Sequence, residues 1–324
     1  MACRRIAGRT TISEQGDKLR NALFVFGTAL FLGGMVAGVV QSIQADHRLP
    51  TPATNGLMKI ETLLNEGNYE RAASQVRLSL TIAGEEPRAL FLLGQILWAQ
   101  NEKEAAIQYY RRALELAPHF ADPYHSLGDA LESIGQFSEA LKQYELALSI
   151  NPNLAATHWK VGVMLGKKGD LDGAIIELKQ AVRLDPGHLP SHIDLGVALE
   201  KRSRLEEAAA EFREAVRLDP NFASAYNNLG NVYWKQGDQV RAAAQYEQAL
   251  RIDPDLASAH NNMGGVLVLK GELRQAREHF QRAVSLQPNF ASARRNLAHV
   301  EEQLEKNGPA KQDGSEQTGE DPGD

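Results

Sequence analysis

The stretch ASAYNNLGNVYWKQGDQVRAAAQYEQALRIDPDL, Ala223 to Leu256, decides how this chain is built. The next 34 residues, ASAHNNMGGVLVLKGELRQAREHFQRAVSLQPNF from Ala257 to Phe290, repeat its pattern without a gap. Two runs of apolar and small residues at helical spacing meet at Gly237, where a left-handed backbone is cheapest for glycine. Pro254 cannot continue a helix interior, so it closes the second run and restarts the chain.

Working outward, the period of 34 holds over six full units: 87–120, 121–154, 155–188, 189–222, 223–256 and 257–290. Numbering each unit from one, the eighth position is Gly94, Gly128, Gly162, Gly196, Gly230 and Gly264. The twentieth and twenty-seventh are alanine throughout, and the thirty-second is proline from Pro118 to Pro288. The twenty-fourth is bulky: Tyr110, Tyr144, Leu178, Phe212, Tyr246 and Phe280. Small residues at these places let two helices approach closely while the large ones fill the space between them. The turn glycine becomes Asn101 and Ser203 in two units.

These columns resemble the tetratricopeptide-repeat family, whose 34-residue helix-turn-helix carries Leu-Gly, Ala, an aromatic and Pro at these offsets. The resemblance runs from Pro87 to about Lys306 and implies an all-α, right-handed solenoid of tandem units. Residues 53–86 read as a degenerate capping repeat, since Gly67, Tyr69 and Ala72 keep their offsets while the Leu-Gly pair and the proline are missing. Residues 291–306 read as a solvating final helix, and the acidic, aperiodic 307–324 as a disordered tail.

The other end reads as a membrane anchor. Residues 21–43 carry no charge and, at 1.5 Å rise, are long enough to cross a bilayer as a helix. The run is longer than the usual signal-peptide core, so an uncleaved helix is preferred to a cleaved leader. Arg4, Arg5, Arg9, Lys18 and Arg20 precede it, which places 1–20 in the cytoplasm and, beyond the linker 44–52, the repeats on the far side: in a bacterium, the periplasm. Within the segment Ala29, Gly33 and Ala37, with Gly34 and Gly38, have the small-residue spacing of self-associating membrane helices, and a homo-oligomer follows from that reading. Gly and Ala are also common in membrane helices generally.

Composition narrows the function. The 324 residues carry a formal net charge of -6 and no run of Lys or Arg, so nucleic acid is not the expected partner. The single cysteine, Cys3, excludes an internal disulfide framework and a multi-cysteine zinc site. No phosphate-binding loop, nucleophile elbow or dinucleotide fingerprint occurs, and the repeats leave no room for an enzyme domain; no cofactor and no metal is expected. His158, His192 and His260 stand at the fourth position, where the family packs an aromatic, and read as core-lining rings. His188 and His192 share helical spacing, but the intervening Pro190 breaks the frame.

At 100° per residue, positions four, seven, eight and eleven of the first helix face its packing partner, and two, six, nine and thirteen face away. In the family that second face lines the concave surface. Asn228, Asn262 and Asn296 occupy its sixth position one period apart, with Asn231 at the ninth. A primary amide offers both donor and acceptor, so such a row can pair with successive peptide groups of an extended ligand. The row resembles the asparagine ladder of O-linked N-acetylglucosamine transferases, which implies sequence-tolerant binding of a peptide or protein. Asn227 stands where the family's carboxylate clamp needs a lysine, and Trp159 opens a less polar region upstream. The expected function is a membrane-anchored adaptor with Asn227, Asn228, Asn231, Asn262, Asn296 and Trp159 contacting the partner. A polar groove without a dedicated ligand, an architectural oligomer and an organelle-surface receptor with cytosolic repeats are the competing readings.

Overall fold

The computed structural model describes residues 59–306 apart from residue 61. The chain divides into two compact units, Met1–Pro152 and Asn153–Asp324. The first contains α1 (Tyr69–Ala83), α2 (Pro87–Ala99), α3 (Lys103–Leu116), α4 (Ala121–Ser133) and α5 (Phe137–Ile150). The second contains α6 (Ala155–Lys168), α7 (Leu171–Leu184), α8 (Leu189–Lys201), α9 (Leu205–Leu218), α10 (Ala223–Lys235), α11 (Gln239–Ile252), α12 (Ala257–Leu269), α13 (Leu273–Leu286) and α14 (Ala291–Lys306). Among the described residues there is no strand.

Inside each unit the repeat sets the packing. The two helices of a repeat lie against each other, and the second packs on the first helix of the next repeat. First helices of neighbouring repeats also touch, α2 with α4 in the first unit and α6, α8, α10, α12 and α14 in succession in the second. That direct approach brings side chains from successive repeats within bonding distance.

The columns have visible steric causes. A Cβ added at Gly230 would come within 2.5 Å of the Tyr246 ring, and one at Gly196 within 2.7 Å of Phe212. The eighth position is therefore small because the twenty-fourth is large; Tyr144, Phe212, Tyr246 and Phe280 are almost wholly buried. At the turns Gly135, Gly169, Gly237 and Gly271 take φ of 77–90°, and the two replacements are held in the same left-handed region, Asn101 at 65° and Ser203 at 59°. The second helices stop two residues before the proline, as in α9 and α11, because the intervening Asp219 and Asp253 are driven to extended backbone by the ring that follows. Pro190 behaves differently from its sequence reading. It lies in the first turn of α8, where a missing N–H costs no helical bond, so it opens the helix and does not interrupt it.

The expected single-pass membrane protein with periplasmic repeats is corrected here. Among the described residues no helix is long and apolar enough to cross a membrane. The repeat helices, of 13–16 residues, reach about 20–24 Å at 1.5 Å per residue, short of a hydrocarbon core of about 30 Å. The segment 21–43, with Ala29, Gly33, Gly34, Ala37 and Gly38, lies outside the described residues, as do the linker 44–52 and the tail 307–324.

Candidate partner-binding face

In the second unit the first helices carry the asparagines, and their register produces one repeated bond. A residue at the fifth position of one repeat meets the sixth position of the next, 35 residues on. Asn262 Nδ2 donates to Asn227 Oδ1 at 3.0 Å, Asn296 Nδ2 to Asn261 Oδ1 at 2.9 Å, and Trp159 Nε1 to Asp194 Oδ2 at 2.7 Å. Glu200 and Lys235, at the same separation, pair at 2.9 Å. The one interruption is Ile193, whose apolar side chain offers Asn228 nothing to bond.

The amides join into one network. Asn261 Nδ2 donates to Asn262 Oδ1 at 3.2 Å, and Asn262 Nδ2 also reaches Asn231 Oδ1 at 2.8 Å. Asn231 Oδ1 accepts a further bond from the Tyr246 hydroxyl at 3.0 Å. Thus Asn227, Asn231 and Asn262 come together, Asn296 is tied in through Asn261, and Trp159 stands apart with Asp194. Asn227, expected to face a ligand, is 6% exposed and belongs to the contact between repeats. Asn228 is half-buried and makes no side-chain hydrogen bond among the described residues. Sequence reasoning passes over Asn261; the 35-residue spacing of polar pairs is the signal that would find it.

The ninth position answers to the twenty-fourth. In two of the three repeats where the latter is tyrosine, the ninth meets its hydroxyl: Tyr144 donates to Asp129 Oδ1 at 2.6 Å in the first unit, as Tyr246 does to Asn231 in the second, whereas Tyr110 bonds Ser126 of the next repeat. Burial holds both phenols well above their ordinary range, so each stays a donor. Where the twenty-fourth is Leu178, Phe212 or Phe280 there is no hydroxyl, and the ninth is Val163, Val197 or Gly265.

Trp159 is held on several sides. Besides its bond to Asp194, its ring meets His188 edge-on at 5.1 Å and lies 5.3 Å from Lys160 Nζ. Burial raises the Asp194 carboxyl, opposed by the indole N–H it accepts. The fourth-position histidines do more than pack. His192 Nδ1 lies 2.7 Å from Glu211 Oε2 and its Nε2 3.1 Å from the Pro186 carbonyl. The Pro186 carbonyl can only accept, so Nε2 donates to it, and the Glu211 carboxyl beside Nδ1 raises the pKa of the ring.

Within each unit a face of first helices, backed by second helices, defines a helical-repeat protein. Tetratricopeptide-repeat family profiles match 57–119, 155–188, 223–256 and 257–290, and a further repeat profile matches 128–169 and 196–237. The chain belongs to the tetratricopeptide-repeat family. No curated protein matches it. Among solved structures it is similar to YrrB, described as a tetratricopeptide-repeat protein with an unusual peptide-binding site: 24% identity, 60% of this chain and 97% of that one, TM-score 0.52. It is also similar to PilF of Pseudomonas aeruginosa, at 20% identity over 66% of this chain and 97% of that one, with a TM-score of 0.56. At these identities the likeness shows the fold alone.

Proposed function

We propose that this chain is a scaffold that binds a protein or an extended peptide along the first-helix face of its second unit, and recruits it into a larger assembly. The observation that carries the reading is Asn228. Its amide lies among amides that are bonded to one another, yet has no partner among the described residues. Among the described residues Asn231 keeps its amino group unbonded and, two repeats further on, Asn296 its carbonyl oxygen, so a bound backbone meets a donor and an acceptor two repeats apart. Packed helices lie about 10 Å apart, so two repeats match about every sixth residue of an extended chain. Gly265, at the ninth position of the next repeat, leaves open space where a side chain would stand, and that widens the face beside Asn262.

The test uses the free amide. A photo-crosslinking residue at position 228 should trap a partner in intact cells, whereas the same residue at Ile176, exposed on a second helix, should not. Equal trapping at both positions, or none at 228, would sink the proposal. Asn228→Ala should weaken capture of that partner about tenfold, the worth of one or two net hydrogen bonds, without moving the melting temperature.

A further inference from the structure

The fourth and twenty-third positions of a repeat face each other, and three repeats place histidine at the fourth. In two of them the partner is a carboxylate: His158 Nδ1 lies 2.6 Å from Glu177, and His192 Nδ1 2.7 Å from Glu211. The last full repeat breaks the pattern with His279, whose Nδ1 lies 3.0 Å from Nδ1 of His260. On the other side of the His260 ring, Nε2 lies 3.0 Å from the Pro254 carbonyl oxygen.

The carbonyl fixes the tautomer. It can only accept, so His260 carries its proton on Nε2 and directs the Nδ1 lone pair at His279. At rest His279 therefore donates from Nδ1 to His260; its Nε2 has no hydrogen-bond partner among the described residues, so the proton can move there at the cost of that one bond. With the proton moved, each Nδ1 presents a lone pair, and the two nitrogens lie 3.0 Å apart. With metal–nitrogen bonds of about 2.0–2.1 Å, that separation subtends about 94° at a shared ion. This is the angle between neighbouring ligands in tetragonal Cu(II) and Ni(II), and a tetrahedral Zn(II) needs the nitrogens only about 0.3 Å further apart.

We propose that His260 and His279 form a binding site for a first-row divalent transition metal ion, clipping α12 to α13. The Pro254 carbonyl supplies the outer hydrogen bond that orients a ligating imidazole. Among the described residues no group of three or more His, Cys, Asp or Glu gathers to hold a metal, so water fills the remaining positions and the ion exchanges. Binding leaves both rings neutral and moves one proton from Nδ1 to Nε2 of His279. His192 is the contrast within the same chain: its Nδ1 faces a carboxyl group and not a second ring nitrogen, while its Nε2 donates to a carbonyl.

The test is a Ni²⁺ titration of the untagged full-length chain by calorimetry, beside His279→Glu, which recreates the His–Glu pair of the neighbouring repeats. The variant should bind one equivalent fewer than the native chain. Zn²⁺ should shift the ring resonances of both His260 and His279 in the native chain, and His260 should no longer respond in the variant. His260→Tyr, which restores the residue found at this position in Tyr124 and Tyr226, should lose the same equivalent; it decides the matter if the first variant misfolds. Equal stoichiometry in the native chain and a folded variant, or no response of either ring to Zn²⁺, would overturn the proposal.

Discussion

At the scale of the residue, the chain couples positions that lie far apart in sequence. Tyr246 forbids a side chain at Gly230 and calls for an acceptor at Asn231, so one aromatic dictates two neighbours on the facing helix. Asn231→Val should leave the buried hydroxyl of Tyr246 without a partner and cost about 1–3 kcal/mol in urea unfolding. Adding Tyr246→Phe should return most of that loss, because Val197 with Phe212 is the same pair one repeat before. If the double variant is as unstable as the sum of the two single ones, the hydroxyl is not what Asn231 serves. The small-large coupling of the eighth and twenty-fourth positions was legible in sequence. The service of the ninth to the twenty-fourth was not, since helical-wheel reasoning places a residue on a face without saying what crosses it.

At the scale of the element, the turn between the helices of each repeat is one left-handed residue, and glycine fills it in most repeats. Ser203, at φ 59°, adopts the same backbone with a side chain attached. Left-handed backbone costs an ordinary residue about 1–2 kcal/mol, so Ser203→Gly should stabilise the second unit by about 1 kcal/mol, visible as a higher midpoint in thermal unfolding. An unchanged or lower midpoint would mean that Ser203 is kept by a contact the backbone does not reveal. The helices themselves were legible because glycine and proline punctuate them at a fixed period. The role of Pro190 was not, because spacing alone does not say whether a proline falls in the first turn of a helix, which tolerates it, or in the interior, which does not. The membrane reading of residues 21–43 rests on apolar length, and the described helices offer no counterpart to it.

At the scale of the whole molecule, within each unit the described repeats pack on their neighbours in sequence, so the stability of a unit is a sum of repeat and interface terms. In the second unit the amide network is one such interface term, and Asn262 is its centre. Asn262→Ala strips the buried Asn227 carbonyl of its partner and should cost about 1–3 kcal/mol. Amide hydrogen exchange should show where the cost falls: faster in α12, α13 and α14, little changed in α6 and α7. Uniform acceleration across the second unit would mean that the network does not act as a local joint. The row of asparagines was legible in sequence, but its second duty was not. Whether a face-directed amide meets a ligand or the next repeat depends on a register between helices that periodicity does not reveal.

The same network has a direction. Donor follows acceptor from Asn296 through Asn261 and Asn262 to Asn227 and Asn231, so the carboxamide dipoles are aligned head to tail. One amide cannot turn over unless the rest turn with it. Among the described residues the row therefore ends in an unbonded carbonyl oxygen at Asn296 and in amino groups at Asn227 and Asn231, and a strand laid along it meets a different end according to which way it runs.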